Sequence, residues 1–159
     1  MLVKAKRCLD HVVDWLVILL TSSMVAVSFY QVIMRYVLKN APSWSEELAR
    51  YLFVWVVFLG AAIAFRNSSH LGLDYFVNLL PSGPRRVIRY VVGLLLVILL
   101  FKVTLEGFSV AELVKRQLSA AMRMPMNYAY LAIPVGSLLM LLEVLWSFFR
   151  AEDNGGGGK

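Results

Sequence analysis

Residues 48–65 read LARYLFVWVVFLGAAIAF, an apolar run with one cation, Arg50, near its start. A helix needs about 20 mainly apolar residues to cross a bilayer, and inside lipid its backbone polar groups must be satisfied within the segment. The run therefore predicts a transmembrane helix. Three similar runs lie at about 12–34, 87–110 and 128–149. The predicted fold class is an all-α membrane protein with four transmembrane helices.

The overall composition agrees with a chain that faces lipid. Only 16% of the 159 residues are charged, and 60% are apolar, whereas soluble domains carry roughly a quarter charged residues. The net charge of +6 comes from cations at the ends of the apolar runs, where they meet lipid headgroups. Membrane lipids, and not nucleic acid, are the partners that this pattern predicts. We expect one four-helix domain over residues 1–150 and a flexible, glycine-rich tail over 151–159.

The distribution of Lys and Arg predicts the orientation. Eight lie at the side of the two termini and five at the other side; the eight are Lys4, Lys6, Arg7, Arg66, Arg85, Arg86, Arg89 and Arg150. Because cytoplasmic loops carry the excess of cations, we expect both termini in the cytoplasm.

A short amphipathic segment separates the second and third spans. Residues 71–80 read LGLDYFVNLL, and Leu71, Tyr75, Phe76 and Leu79 would share one helical face. Such a pattern predicts a short helix lying in the membrane interface. Beyond the third span, the sequence predicts that the helix continues out of the membrane and stops near Pro125.

Few polar groups lie inside the spans. Lys102 and Glu106 are one turn apart and can neutralise each other, or Lys102 can snorkel towards the interface. Glu143 could meet a cation on a neighbouring helix or a partner subunit. Gly60 and Ala64 form a small-xxx-small pair that suits close helix packing, either within the bundle or against another subunit.

Catalytic and cofactor chemistry have no candidate in this pattern. Cys8 is the only cysteine, and His11 and His70 both lie at span ends. Zinc, iron–sulfur and bis-His haem sites need more ligands than these. The sequence predicts no cofactor, no metal and no enzyme activity.

Two polar groups of residues flank the second span. At its start, Ser43 or Ser45 can cap the helix, and carboxylates are favoured near the helix N-terminus; those present are Glu46 and Glu47. At its end, Arg66, His70 and Asp74 recur every four residues and would form a hydrogen-bonded corner with the interfacial helix.

The segment 35–81 also resembles a known family. The features are Arg35-Tyr36, Trp44-x-Glu46-Glu47-x-x-Arg50, Gly60-Ala61, and Arg66-x-x-x-His70-x-x-x-Asp74 ending at Leu80-Pro81. Their order and spacing resemble the DctQ family, the small membrane subunits of tripartite ATP-independent periplasmic (TRAP) transporters. The four-span layout resembles that family over nearly the whole chain.

The resemblance implies a function and two protein partners. The partners are a large multi-span subunit of the DctM type, which moves as an elevator, and a periplasmic substrate-binding protein of the DctP type. The small subunit would be a scaffold in the bacterial inner membrane. It would brace symport that is usually driven by sodium, with organic acids such as sialic acid or C4-dicarboxylates as substrates.

On this basis we expect one face to lie near the docked binding protein; its residues are Arg35, Lys39, Trp44, Glu46, Glu47 and Arg50. Two other hypotheses remain open. A stand-alone homo-oligomeric exporter or channel would need Glu106 or Glu143 as an intramembrane acid. A membrane anchor of a redox complex would bind haem or quinone.

Overall fold

Long helices make up most of the described part of the chain. The computed structural model describes residues 2–40, 42–67 and 82–155. Within these ranges the α-helices are α1 (Leu2–Tyr36), α2 (Ser43–Asn67), α3 (Ser82–Leu113), α4 (Asn127–Tyr130) and α5 (Ala132–Gly155). A 3₁₀ turn, Val114–Arg116, follows α3.

The predicted fold class is confirmed. In the described part of the chain, four stretches are long and apolar enough to cross a membrane: Lys6–Tyr36, Ser43–Asn67, Tyr90–Arg116 and Asn127–Ser147. The fourth combines α4 and α5, which are joined by a backbone hydrogen bond from Leu131 to Asn127. The predicted interfacial helix at 71–80 lies outside the described residues. The tail boundary stays a prediction, because α5 is described as far as Gly155 and residues 156–159 are not described.

The helices pack in the order α1–α2–α5–α3, so that α1 and α3 lie at the two edges of a row. The N-terminal part of α1 and the C-terminal parts of α2 and α5 lie on one side of this row, which we call the terminal end. The C-terminal part of α1, the N-terminal part of α2 and the segment before α4 lie on the opposite side, which we call the loop end. Apolar side chains cover much of α1 and α3 at the edges, as expected for surfaces that face lipid or another membrane protein.

The core lies between α2, α5 and α3. Its buried residues are Ala62, Leu100, Met140, Leu141 and Val144. Close to it, the buried hydroxyls of Thr104 and Ser137 lie 3.1 Å apart between α3 and α5. Each also donates to a backbone carbonyl of its own helix, Thr104 to Leu100 O at 2.8 Å and Ser137 to Ile133 O at 2.7 Å.

Two glycines allow the helices to approach closely. A Cβ atom on Gly136 would lie 2.5 Å from Phe58 Cβ, and one on Gly107 would lie 3.0 Å from Pro134 Cδ. Small residues at helix contacts are typical of membrane bundles. The pair singled out from the sequence does not have this role among the described residues, because a Cβ on Gly60 meets none of their atoms within 4 Å and Ala64 is exposed. Its contact with another subunit stays a prediction.

The connection after α3 differs from the sequence prediction. The helix ends at Leu113 and the 3₁₀ turn at Arg116, well before Pro125. Gln117 is extended, and Leu118 and Pro125 form an isolated antiparallel bridge. Because Ser119 N donates to Met124 O at 2.9 Å and Met126 N to Gln117 O at 2.9 Å, these local bonds replace a further helical turn.

Candidate functional site

Five charged side chains from three helices meet at the terminal end, and we call them the terminal cluster. They are Lys6, Asp10 and Asp14 on α1, Arg66 on α2 and Glu143 on α5. Lys6 Nζ lies 2.8 Å from Glu143 Oε2 and 3.4 Å from Asp10 Oδ2. Arg66 donates to Asp14 Oδ1, and its Nη1 lies 3.7 Å from Asp10 Oδ1. The cluster therefore ties α1 to both of the other helices.

The terminal cluster borders a small cavity of about 290 Å³. Its wall includes Ala62 and Leu139 beside the charged groups, and Lys6 Nζ lies 5.4 Å from the centre of the Trp146 ring. The side chains of the cluster are 13–35% exposed. Ion pairs shielded to this degree are more strongly coupled than surface pairs, and they leave an unbalanced charge if one partner is removed.

Arg66 is predicted from the sequence to form a corner with His70 and Asp74. Those two residues lie outside the described ranges, so that corner stays a prediction. The Arg66 side chain points towards α1, where it forms ion pairs with Asp10 and Asp14.

Sequence reasoning missed the role of Lys6, Asp10 and Asp14. A signal was present, since these residues are spaced four apart and therefore share a face of α1. Glu143 contacts Lys6 on a neighbouring helix, which is one of the two alternatives that the sequence left open.

At the loop end, one carboxylate holds the segment before α4. Glu47 Oε2 accepts hydrogen bonds from the backbone N–H of Ala121 at 2.7 Å and of Met122 at 3.2 Å. Its other oxygen accepts from the Tyr51 hydroxyl. We call these four residues the loop clamp. It joins α2 to a turn in which Arg123 has a φ of 52°.

The other residues of the predicted docking face lie around the clamp. Arg35 and Lys39 are exposed. Trp44 packs on Tyr30 with ring centres 5.8 Å apart. Arg50 Nη2 lies 3.6 Å from Glu46 Oε1 in an exposed pair. The structure thus brings Glu46 and Arg50 together and assigns Glu47 to the chain's own loop.

Beside the clamp lies an open cavity of about 640 Å³, lined in part by Glu47, Arg50, Tyr51 and Tyr130. Its wall combines aromatic and charged groups at the edge of the membrane region. Within residues 2–40, 42–67 and 82–155, no group of three or more His, Cys, Asp or Glu side chains is arranged to hold a metal ion.

Lys102 and Glu106 both lie exposed on α3. The pairing that their spacing predicts is not formed: among the described residues, neither side chain makes an ion pair or a hydrogen bond. Sequence spacing alone therefore did not identify how these two charges are satisfied.

Most of the charged side chains in the described residues lie towards the two ends of the long helices, whereas Lys102 and Glu106 lie within α3. Comparison with known proteins identifies the family: residues 24–153 match the family described as tripartite ATP-independent periplasmic transporters, DctQ component. The chain belongs to the DctQ family. It is accordingly a multi-pass inner-membrane protein and a TRAP transporter small permease subunit, which is not a class of enzyme.

Curated relatives of this DctQ chain support the assignment over about nine-tenths of its length. A putative TRAP transporter small permease protein of Haemophilus influenzae is 25% identical, over 92% of this chain and 98% of the relative. The sialic acid TRAP transporter small permease protein SiaQ of Vibrio cholerae is 27% identical, over 91% of this chain and 84% of the relative.

A third relative is much longer. The isethionate TRAP transporter permease protein DctMQ of Oleidesulfovibrio alaskensis is 28% identical over 79% of this chain, which corresponds to only 22% of that protein. A DctQ-like region can thus be part of one longer permease chain. This agrees with the family's partnership with a large DctM-type permease and a periplasmic binding protein.

Proposed function

We propose that this chain is the fixed scaffold of a TRAP transporter. It braces the large elevator-type subunit during uptake of an organic acid, which a periplasmic binding protein delivers and a sodium gradient drives. The observation that carries the bracing role is the terminal cluster, because its ion pairs link α1, α2 and α5 side chain to side chain.

A brace has to resist sideways force along the row. The loop clamp supports this role at the opposite end, since Glu47 holds the segment that leads into α4. Between the two ends, Gly136 on Phe58 and Gly107 on Pro134 bring α5 into close contact with both neighbours. Closely packed helices of this kind change their arrangement in steps and do not deform continuously.

The proposed orientation places the terminal end in the cytoplasm. This follows from the excess of Lys and Arg on that side of the membrane spans, because cytoplasmic segments carry the excess of cations. The loop end, with the exposed Arg35, Lys39 and Trp44, then faces the periplasm and forms part of the docking face for the binding protein.

The substrate is proposed by class only. Relatives are named for sialic acid, isethionate and C4-dicarboxylates, all of which are organic anions. An organic anion is therefore the first class to supply in a transport assay.

To test the proposed function, the tagged chain is purified from its native membrane in a mild detergent, and its partners are identified by mass spectrometry. We expect one larger multi-span permease in a one-to-one ratio. The purified pair is then placed in liposomes with the binding protein, and uptake of labelled organic acids is followed with and without an inward sodium gradient. Sodium-dependent uptake by the pair is expected, and neither protein alone should support it.

Other outcomes would contradict the proposal in different ways. Recovery of the chain as an active homo-oligomer would favour a stand-alone exporter or channel. Haem absorption or bound quinone in the preparation would favour an anchor of a redox complex.

The docking face has its own test. Reversing charge with Arg35→Glu and Lys39→Glu should slow uptake without loss of the membrane pair. Arg116→Glu is the matched control, because Arg116 is also exposed at the loop end but lies outside the proposed face. Unchanged uptake in the double variant would argue against docking at this face.

A further inference from the structure

The surface of α3 divides into three stripes along its length. One stripe packs against α5 and is buried; its members are Leu100, Thr104, Gly107 and Ala111. A second is exposed and uniformly large and apolar; its members are Leu94, Ile98, Phe101, Leu105 and Phe108. The third is exposed but mixed, and we call it the charged seam; its members are Leu95, Leu99, Lys102, Glu106, Ser109 and Leu113.

The charged seam has the spacing of a helix–helix contact. Its members are separated by four, three, four, three and four residues, which is the repeat that keeps one stripe facing a neighbouring helix over several turns. The apolar stripe has the same spacing, so periodicity does not distinguish the two. The difference lies in their chemistry, because only the seam carries ionisable groups.

The two charges lie near the middle of the membrane. Glu47 and Arg66 mark the two ends of the apolar part of α2, 19 residues apart, or roughly 28 Å, which is about the hydrocarbon thickness. Phe58 lies between them and contacts Gly136 on α5. Beside Gly136, Ser137 bonds to Thr104 on α3. Lys102 and Glu106 flank Thr104 and are therefore close to mid-depth.

Nothing in the described part of the chain satisfies these charges. Lys102 and Glu106 make no ion pair or hydrogen bond within residues 2–40, 42–67 and 82–155. A Lys followed by a Glu four residues later is also the weaker of the two orders for a pair on one helix. Ionisable groups at this depth normally face protein and pair there, so the seam is not suited to lipid.

We propose that the charged seam of α3 is the surface through which this chain binds the large permease. This rests on the proposed function. The partner helix would present an acidic group to Lys102 and a basic or hydrogen-bond-donating group to Glu106, at matching depth. The existence of a longer DctMQ relative, which contains a region like this chain, argues for the permease and against a second copy as the occupant.

The first test is photo-cross-linking with Lys102 and Glu106 left unchanged. A photo-reactive phenylalanine analogue is placed at Ser109 in the seam or at Phe108 in the apolar stripe, and the tagged chain is irradiated in its native membrane. The two positions have nearly the same depth but differ by about 100° around the helix. We expect the chain with the analogue at Ser109 to form a covalent product with the large permease. The yield of that product should be lower by about fivefold or more when the analogue replaces Phe108.

The second test removes the charges. Lys102→Met with Glu106→Gln should lower the amount of co-purified permease by about fivefold or more, because the partner groups are left unmatched in the membrane. Glu112→Gln with Lys115→Gln is the matched control, since that pair is exposed at the end of α3 and in the 3₁₀ turn that follows it. The control should keep the wild-type yield of permease.

The outcomes separate the two proposals. If the unmodified chain recovers no permease, the proposed function fails. If it does recover permease but Ser109 gives no more product than Phe108, or the neutralised double variant keeps full recovery, the seam is not the interface. A product between two copies of this chain from Ser109 would also overturn the assignment of the seam to the permease.

Discussion

The two ends of the helical row are held together in different ways. At the terminal end, three long helices meet and every contact is an ion pair between two side chains. The residues involved include Lys6, Arg66 and Glu143. At the loop end, Glu47 binds backbone N–H groups of a connecting segment. Ion pairs between helices fix how the helices lie relative to each other, whereas a carboxylate on backbone N–H groups fixes the path of a loop.

This difference indicates a division of roles. The terminal cluster should control the stability of the whole bundle, because removing one charge leaves others unbalanced on a different helix. The loop clamp should control only the order of the segment around Ala121 and Met122. The variants below test that distinction, starting with the largest expected effect.

Removal of Arg66 is the most direct test of the terminal cluster. Arg66→Ala should reduce the unfolding free energy by about 3 kcal/mol, because Asp10 and Asp14 lose their shared cation. Unfolding in a mixed-detergent titration, followed by tryptophan fluorescence, measures this loss. The matched control is Arg50→Ala, whose pair with Glu46 is exposed and should change stability by less than about 1 kcal/mol. Equal effects would remove the distinction between shielded and exposed pairs.

The second largest loss of stability is expected where α5 packs closely on α2, between the terminal end and the loop end. Gly136→Ala should cost about 2 kcal/mol, because the new methyl group would meet Phe58 Cβ and its backbone. The same titration measures it. Gly60→Ala is the control: its Cβ meets no atom within 4 Å, and the higher helix propensity of alanine should leave stability unchanged or slightly increased. A loss at Gly60 as large as that at Gly136 would contradict the packing described here.

The loop clamp should show a smaller and local effect. Glu47→Ala removes the acceptor for two backbone N–H groups and for Tyr51, with a loss of about 1 kcal/mol in stability. Hydrogen exchange should become faster in the peptide containing Ala121 and Met122, while exchange in the core of α5 stays slow. Glu46→Ala is the control, since the only ion pair of Glu46 among the described residues is the exposed one with Arg50. Global acceleration of exchange in Glu47→Ala would mean that the loop end also supports the whole bundle.

The smallest effect is expected at the turn after α1. Lys39 has a φ of 52°, a region that is unfavourable for residues with a Cβ. Lys39→Gly should therefore leave stability unchanged or raise it by about 0.5 kcal/mol. If uptake nevertheless falls, the lysine charge acts in docking, because the backbone conformation has been preserved. A clear loss of stability would show that the Lys39 side chain contributes to the fold.

The partners of charged residues show the limit of sequence reasoning in this chain. The structure pairs Arg66 with Asp10 and Asp14, more than 50 residues earlier, and no local spacing indicates that contact. The predicted corner of Arg66 with His70 and Asp74 lies partly outside the described residues and stays a prediction. The four-residue spacing of Lys102 and Glu106 predicts a pair that is not formed. Periodicity reports which residues share a face of one helix, but not which face of another helix lies opposite.

The sequence by itself determined the four membrane spans and the family, because both depend on local properties: long apolar runs that must be helical in lipid, and a motif order confined to residues 35–81. It also showed that most charged residues lie at or beyond the ends of the spans, with Lys102, Glu106 and Glu143 as exceptions. Only the tertiary structure decided the row order of the helices, the close contacts of Gly107 and Gly136, and the partners of Lys6, Glu47 and Arg66. Those features depend on the rotation and depth of each helix against its neighbours, which are set by packing between distant parts of the chain.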